Sequence, residues 1–242
     1  MTLAGAIILL LFAFGASFTQ RVTGFGFGIF IMTVLPHIMP SYGEATALSG
    51  LLAIVCVLVT AVRTAKYASW RKLWLILVTF LAVSFFAVKA VSLIDSTTLK
   101  HVLGVILIVV SLYFFFVSER IRVKPTKPVQ VAMGTLSGLM GGFFAMQGPP
   151  AVIYFLGCTE TKEQYIALAS MYFVIGNICM TCFRAGNGFV TPVVLKAVLM
   201  GLPAVVLGLW LGGKVYDRMP ITTLRKSVYA FMAFAGVIAL AS

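Results

Sequence analysis

Apolar residues run through the chain in long blocks that polar residues interrupt only briefly. A helix needs about 20 apolar residues to cross the roughly 30 Å hydrocarbon core of a bilayer, and six blocks meet this length or come close to it. They cover residues 44–62, 73–94, 98–117, 163–183, 191–211 and 221–241. The pattern predicts a transmembrane helix in each, so the expected fold class is an all-α polytopic membrane protein.

Two further apolar regions do not fit a single span. Residues 3–39 are too long for one helix and are interrupted at QRVTG (20–24). Residues 129–157 are interrupted at GGFFAMQGPP (141–150), where glycines and two prolines oppose a continuous helix. We expect each region to be a broken helix that enters and returns on one side of the membrane, either as two crossings or as a re-entrant hairpin.

Composition supports a membrane protein. Of the 242 residues, 61% are hydrophobic and only 10% are charged, which excludes an ordinary soluble domain. The excess of 18 Lys and Arg over 6 Asp and Glu would suggest nucleic acid in a soluble chain. Here the cations lie between apolar blocks, so they indicate topology rather than a nucleic-acid partner. The start MTLAG has no basic residue, so the first block is interpreted as a membrane element and not as a secretory signal.

The basic residues predict the orientation in the cytoplasmic (inner) membrane. Cations concentrate in three connections, which should be cytoplasmic. The turns near 39–44, 94–98 and 184–191 contain fewer, and both termini are then extracytoplasmic. The three basic groups are Arg63, Lys66, Arg71 and Lys72; Arg120, Arg122, Lys124 and Lys127; and Lys214, Arg218, Arg225 and Lys226.

The chain divides at the polar linker SERIRVKPTKP (118–128) into an N-terminal repeat, 1–117, and a C-terminal repeat, 129–242. With an offset of 121 residues, Ser49 corresponds to Ser170 and Arg63 to Arg184. Combined with the charge pattern, this predicts two inverted-topology repeats of about four to five membrane helices each, an architecture common in secondary transporters.

The two breaks are candidates for a substrate site. Backbone groups without hydrogen bonds cost several kcal/mol in hydrocarbon, so broken helices persist only where protein or a wet cavity surrounds them. Glycines expose backbone amides, and an arginine adds a cationic fork suited to oxyanions. The alternative is that the glycines are close helix contacts and that the arginine reaches lipid headgroups. The candidate substrate-binding residues are Gln20, Arg21, Thr23, Gly24, Gly26, Gly28, Gln147, Gly148, Pro149 and Pro150.

Other polar residues are candidates for a pathway or for coupling to a proton or sodium gradient. Glu44 either takes up a coupling proton or is an acid favoured at a helix N-terminus. Arg184 either attracts an anion or anchors a helix end at the interface. The remaining candidates are Ser49, Ser170 and Asn177.

Enzyme chemistry is a weaker hypothesis. Cys179 and Cys182 have C-x-x-C spacing, but no second pair accompanies them, so packing is favoured over a metal or redox site. Ser137, in LSGLMGG, resembles a nucleophile, yet neither His37 nor His101 has a context that makes it the base. We expect no metal and no cofactor.

The motifs at the breaks resemble those of the sulfite exporter TauE/SafE family, also called the toluene sulfonate uptake permease family. They are TGFGFGIFIMTVLP (23–36) and GTLSGLMGGFFAMQGPPAVIYFL (134–156), followed by ALASMYF and FRAG, although the first lacks the contiguous glycine triplet of many members. The resemblance implies a carrier of small anions such as sulfite, sulfonates or sulfoacetate. Its motifs map to Thr23, Gly24, Gly26 and Gly28, and to Gly141, Gly142, Gly148, Pro149 and Pro150.

The expected function is therefore secondary transport of a small sulfur-containing anion by alternating access between two Gly-rich broken helices. An anion channel, a membrane-embedded enzyme and a non-transporting structural subunit remain alternatives. The expected partners are the anionic substrate, membrane lipids and a coupling proton or sodium ion, and a homo-oligomer is compatible with the sequence.

Overall fold

The computed structural model of the protein describes residues 2–116 and 124–216, and the regular structure in these ranges is helical. The all-α fold class is thus confirmed. In chain order the helices are α1 Leu3–Thr23, α2 Phe27–Ile31, α3 Leu35–Ile38, α4 Tyr42–Thr64, a short 3-10 helix Ala65–Tyr67, α5 Trp70–Val91, α6 Ser96–Phe116, α7 Lys127–Phe144, α8 Gly148–Cys158, α9 Lys162–Gly186 and α10 Pro192–Tyr216.

Six helices in the described ranges are long and apolar enough to cross a membrane: α1, α4, α5, α6, α9 and α10. Five match the predicted blocks to within a few residues. The remaining helix is α1, which the sequence had placed in a broken region. The predicted block 221–241 and the linker residues 118–123 lie outside the described residues, as do Arg120, Arg122, Arg218, Arg225 and Lys226.

The first break lies a few residues later than predicted. Residues 20–23 of QRVTG form the last turn of α1, and the helix stops at Gly24 because this residue adopts the left-handed conformation (φ 83°) and donates its amide to the Gln20 carbonyl. Gly26, with φ 102°, then turns the chain into α2. Both conformations favour glycine.

The second break lies within the predicted stretch, at residues 145–147. Ala145 ends α7 in the left-handed conformation with φ 56°, the one non-glycine residue with positive φ in the described ranges. Its amide contacts the carbonyls of Gly141 and Met140. Gly24 and Ala145 are separated by the same 121 residues as the pairs found by sequence, so corresponding positions end the helix before each break.

Helices α7 and α8 form a hairpin that returns to the end from which it starts. The Lys72 ammonium, near the start of α5, donates to the Cys158 carbonyl at the end of α8 (2.8 Å). Tyr154 donates to the Lys72 carbonyl (3.1 Å). Near the start of α7, Gly134 packs on the Ile76 carbonyl of α5. Both outer ends of the hairpin therefore lie at the N-terminal end of α5.

Glycines let two pairs of parallel helices approach closely. Gly134, Gly138 and Gly142 of α7 face successive turns of α5, and Gly208 and Gly212 of α10 face successive turns of α1. In each, a Cβ would lie within 3 Å of the partner helix. Small residues at such spacing are typical of close helix packing in membranes.

Helices α4 and α9 pack against each other in opposite directions, because Gly43 contacts Phe189 whereas Gly50 contacts Thr181 and Arg184. The other main pairs are α1 with α10, α5 with α7, α4 with α10 and α5 with α9. By the repeat offset, α1 corresponds to α7, α4 to α9 and α5 to α10. The α1–α10 pair then corresponds to the α5–α7 pair, and the α4–α10 pair corresponds to the α5–α9 pair. The helix contacts of the two halves therefore correspond.

The outer surface is strongly apolar. Large side chains on several helices project outward, among them Leu11, Trp74, Phe86, Leu199 and Trp210. A soluble monomer rarely exposes apolar surface on this scale. Together with the six long apolar helices, this surface identifies a multi-pass membrane protein.

Candidate functional site

The two breaks meet inside the bundle. Gly28, in α2, lies against the carbonyl oxygen of Ala145 so closely that no Cβ would fit. Both residues line a cavity of about 30 Å³. Both breaks and the middle turns of α4 and α9 line it, through Gln20, Gly26, Phe27, Gly28, Ile29, Ala53, Val57, Ala145, Met146, Gln147, Gly148, Phe173 and Asn177.

The side chain of Gln20 holds the first break together. Its oxygen accepts from the Phe27 amide at the start of α2 (3.1 Å), and its nitrogen donates to the Gly24 carbonyl (3.1 Å). The Thr23 hydroxyl lies 2.9 Å from the Thr19 carbonyl and 2.6 Å from the Phe25 carbonyl. These two polar side chains supply the hydrogen bonds that the interrupted backbone lacks, as a break at membrane depth requires.

A short chain of hydroxyl groups holds the second break. Ser137 donates to the Gln147 carbonyl (2.5 Å) and accepts from the Tyr172 hydroxyl (2.7 Å). Ser137 is fully buried. These contacts explain Ser137 as a structural residue of the hairpin, because its only hydrogen is directed at a backbone carbonyl rather than at a base.

The cavity is polar but carries no charged side chain among its lining residues. Gln20, Gln147 and Asn177 contribute neutral amides. The oxygen of Gln147 is buried without a hydrogen-bond partner in the described part of the chain. Pro149 and Pro150 occupy the second and third positions of α8 and supply no backbone N–H group. The start of α8 thus offers fewer donors than a usual helix N-terminus.

The cavity is small for an organic anion. A volume of about 30 Å³ holds one or two water molecules. A sulfonate is larger than this volume.

Five of the ten predicted substrate-binding residues line the cavity: Gln20, Gly26, Gly28, Gln147 and Gly148. Thr23, Gly24, Pro149 and Pro150 shape the breaks without lining it. Arg21 lies elsewhere, because its side chain is exposed on α1 and its aliphatic part packs on Gly212 of α10. The last turn of α1 directs Gln20 toward the cavity and Arg21 away from it.

Comparison with known proteins identifies the family. The family model described as "Sulfite exporter TauE/SafE" matches residues 9–239. The chain belongs to this family. A similar protein is the "Probable sulfite/organosulfonate exporter TauE" of Cupriavidus necator, which is 22% identical over 230 residues, covering 91% of this chain and 88% of that protein. No solved structure matches the chain.

In this TauE/SafE family member the other polar candidates lie between α4 and α9 and at the ends of these helices. Asn177 lines the cavity. Ser49 and Ser170 are buried, and the Ser49 hydroxyl has no partner among the described residues. Arg184 is fully buried, which excludes the interpretation that it anchors the helix at the membrane surface.

Glu44 makes the contacts of a helix-capping acid and one further contact. Its amide donates to Ser41, the N-cap residue of α4, and one carboxylate oxygen accepts from the same hydroxyl. The other oxygen accepts from Thr191, just before α10 (2.6 Å). This second bond joins the two halves at the N-terminal end of α4.

Sequence reasoning missed the apolar lining. Ala53 and Val57 of α4, and Phe173 of α9, close the cavity from the side. Their residue types are common in any apolar helix and do not indicate a site. The repeat offset of 121 could have indicated them, because positions 53 and 57 correspond to 174 and 178, which lie next to Phe173 and Asn177. It also missed Tyr42 and Thr181, whose buried hydroxyls have no partner in the described ranges.

The four cysteines are free thiols. Cys56 and Cys158 are buried, whereas Cys179 is only partly buried and Cys182 is exposed. Packing inside the protein therefore does not account for the C-x-x-C pair.

Proposed function

We propose that this protein is a secondary transporter that moves a small sulfur-containing oxyanion, such as sulfite, a sulfonate or sulfoacetate, across the cytoplasmic membrane. The observation that carries the proposal is the meeting of two broken helices around a polar cavity inside an otherwise apolar bundle. Family membership supports the transport class. The name of the Cupriavidus relative supports the substrate class, and it also favours export.

Neutral amides are suited to holding such an anion reversibly. Side-chain N–H groups of Gln20, Gln147 and Asn177 donate to sulfonate oxygens once the side chains turn toward them, and hydrogen bonds to ionised groups are stronger than neutral ones, especially away from water. A site without a fixed cation binds less tightly than one with an ion pair. A carrier benefits from this, because the substrate must also leave.

The arrangement of the two halves supports an alternating-access mechanism. Helices α4 and α9 correspond to each other, run in opposite directions and cross the cavity with their middle turns. This relation supports the inverted repeat predicted from the sequence, and inverted repeats give two conformations of similar energy that open to opposite sides. Because the cavity is too small for a sulfonate, substrate loading requires the two breaks to separate.

The positions of basic residues indicate the orientation of the protein in the membrane. Arg71, Lys72 and Lys127 surround a surface cavity of about 420 Å³ at the N-terminal ends of α5 and α7. We assign this end to the cytoplasm by the positive-inside rule. The start of α4 then lies on the extracytoplasmic side. The extracytoplasmic location of both termini stays a prediction from the sequence, because the C-terminal block 221–241 lies outside the described residues.

A thermal-shift experiment tests whether the protein binds the proposed anions. Purified protein in detergent is heated with sulfite, sulfate, sulfoacetate, taurine, thiosulfate or a carboxylate, and the unfolding temperature is measured. A ligand at one hundred times its Kd stabilises the folded state by about 2.7 kcal/mol, which gives a measurable shift. We expect stabilisation by the sulfur oxyanions and not by carboxylates; no shift with any anion contradicts the proposal.

Flux in proteoliposomes separates the carrier from the alternative of an anion channel. A carrier shows saturable flux and moves the anion uphill when a proton or sodium gradient is imposed. A channel shows only downhill conductance. The small cavity favours the carrier, since a conducting pore needs a continuous wet path.

A further inference from the structure

Arg184 is a cation buried without a matching anion. Its side chain is 0% exposed, and it shares burial only with Glu44 among the charged side chains of the described ranges. One terminal nitrogen donates to the Gly141 carbonyl (2.9 Å). The other terminal nitrogen and Nε have no acceptor in the described part of the chain.

Burying such a side chain costs free energy. A buried charge needs an opposite charge or a full set of hydrogen bonds, and a guanidinium has five N–H donors to satisfy. Intramembrane cations of this kind usually mark the path of a substrate or ion. The cost therefore points to a second conformation in which Arg184 meets an anion.

Arg184 lies directly behind the cavity. Gly141, whose carbonyl it contacts, packs against Gln147, since a Cβ on Gly141 would lie 3.0 Å from the Cβ of Gln147. Along α9, Arg184 follows the cavity residue Asn177 by two turns on the same face. The space between the cavity and the N-terminal end of α4 is thus occupied by this guanidinium.

Three hydroxyl groups belong to the turns of α4 and α9 near Arg184. Gly50 of α4 is flanked by a terminal nitrogen of Arg184 (2.9 Å from its Cβ position) and by the Thr181 hydroxyl (3.3 Å). Ser49 precedes Gly50, and Tyr42 is close enough to Arg184 for an electrostatic interaction. All three hydroxyls are buried, with no partner among the described residues.

The corresponding residue of the other half behaves differently. Arg63 occupies the equivalent position on α4, and its side chain is exposed. Because α4 and α9 are antiparallel, the two arginines lie on opposite sides of the cavity. The arginine on one side of the cavity is therefore fully buried, whereas the arginine on the other side is exposed.

We propose that Arg184 forms a second anion site that gates the path between the central cavity and the N-terminal end of α4. When α4 and α9 separate, the guanidinium and the hydroxyls of Tyr42, Ser49 and Thr181 bind the small oxyanion that enters or leaves. This inference rests on the proposed transport function. The central cavity holds no charge, so Arg184 accelerates passage of the anion while contributing little to its affinity for the cavity.

The test compares Arg184→Met and Arg184→Lys with the matched control Arg63→Met. Each full-length variant is purified, its unfolding temperature and sulfite or sulfoacetate binding are measured in detergent, and its transport is measured in proteoliposomes. We expect Arg184→Met to raise the unfolding temperature by a few degrees, because it removes an unpaired buried charge. It should bind the anion within about threefold of wild type yet transport it at least about tenfold more slowly.

Arg184→Lys should recover part of the lost rate, and Arg63→Met should transport at close to the wild-type rate. A wild-type rate for Arg184→Met, or no recovery with lysine, overturns the gate. If Arg184→Met does not fold, the pair Tyr42→Phe and Thr181→Val replaces it, since both remove hydroxyls without partners. Unchanged transport in that double variant also overturns the gate. Failure of wild type to bind or transport any tested anion instead defeats the transport function itself.

Discussion

Gly28 and Ala145 touch across the two breaks, and a Cβ on Gly28 would overlap the carbonyl oxygen of Ala145. The contact joins one half of the molecule to the other at the edge of the cavity. It is a backbone-to-backbone contact, so no side-chain rotation can relieve a larger residue there.

Replacing Gly28 by alanine should therefore destabilise the protein. Forcing a methyl group into packed backbone costs about 1–3 kcal/mol, and pushing the breaks apart should also distort the site. Gly148→Ala is the matched control, because its Cβ would meet nothing closer than Phe25 at 3.5 Å. The unfolding temperature in detergent should fall clearly for Gly28→Ala and little for Gly148→Ala; equal melting of the two variants contradicts the contact.

Gln147→Glu should abolish anion binding. The substitution keeps the size of the side chain but places a carboxylate in a cavity without a cation among its lining residues, where like charges repel strongly. Thermal shifts with sulfite and sulfoacetate should disappear, while the protein remains folded. Gln164→Glu, near the start of α9 and away from the cavity, is the control and should leave the shifts intact.

Gly138→Ala should lower stability through the α5–α7 contact. The added Cβ would lie 2.7 Å from the Cβ of Val83 and 2.9 Å from the Phe80 carbonyl. We expect a loss of about 1–3 kcal/mol, because the helices must separate. Gly186→Ala, where a Cβ meets nothing within 4 Å, should be neutral. Chemical denaturation of the two variants measures the difference, and a neutral Gly138→Ala would show that the helices have room to adjust.

Glu44 should act as a structural residue rather than as the coupling group. Both carboxylate oxygens are already held, by Ser41 and Thr191. Glu44→Gln retains an oxygen that accepts from Thr191, so uphill transport driven by an imposed proton or sodium gradient should persist in this variant. Loss of uphill transport with intact binding would assign coupling to Glu44.

Thr191→Val tests the same contact from the other half. It removes the hydroxyl that donates to Glu44 and leaves one buried carboxylate oxygen without its donor, which costs about 1–3 kcal/mol. The unfolding temperature should drop. Thr191→Ser retains the donor and should melt close to wild type.

Much of the site was readable from residue types alone. Glycines and prolines interrupt long apolar blocks only where the chain must turn at membrane depth, so both breaks were located to within a few residues. Gln20 and Gln147 were predicted as site residues because they lie at these breaks. The sequence could not show that the last turn of α1 is helical, and hence that Gln20 and Arg21 point in different directions.

The repeat offset illustrates the same limit. It paired Arg63 with Arg184, but it could not show how far each side chain is buried. The two side chains differ in burial. Gly141 and Gly50 leave space for the guanidinium of Arg184, whereas the side chain of Arg63 is exposed. Neither glycine is near Arg184 in sequence, so the difference depends on which helices pack together.

The membrane location, the all-helical class and the positions of the breaks follow from the sequence by itself, because the hydrocarbon core imposes its length and its demand for hydrogen bonds on each segment separately. Tertiary structure alone decided that the breaks meet, that the cavity between them is small and has no charged side chain in its lining, and that Arg184 is buried near it. Those properties arise from contacts between residues far apart in the chain, and local pattern contains no information about which distant surfaces come together.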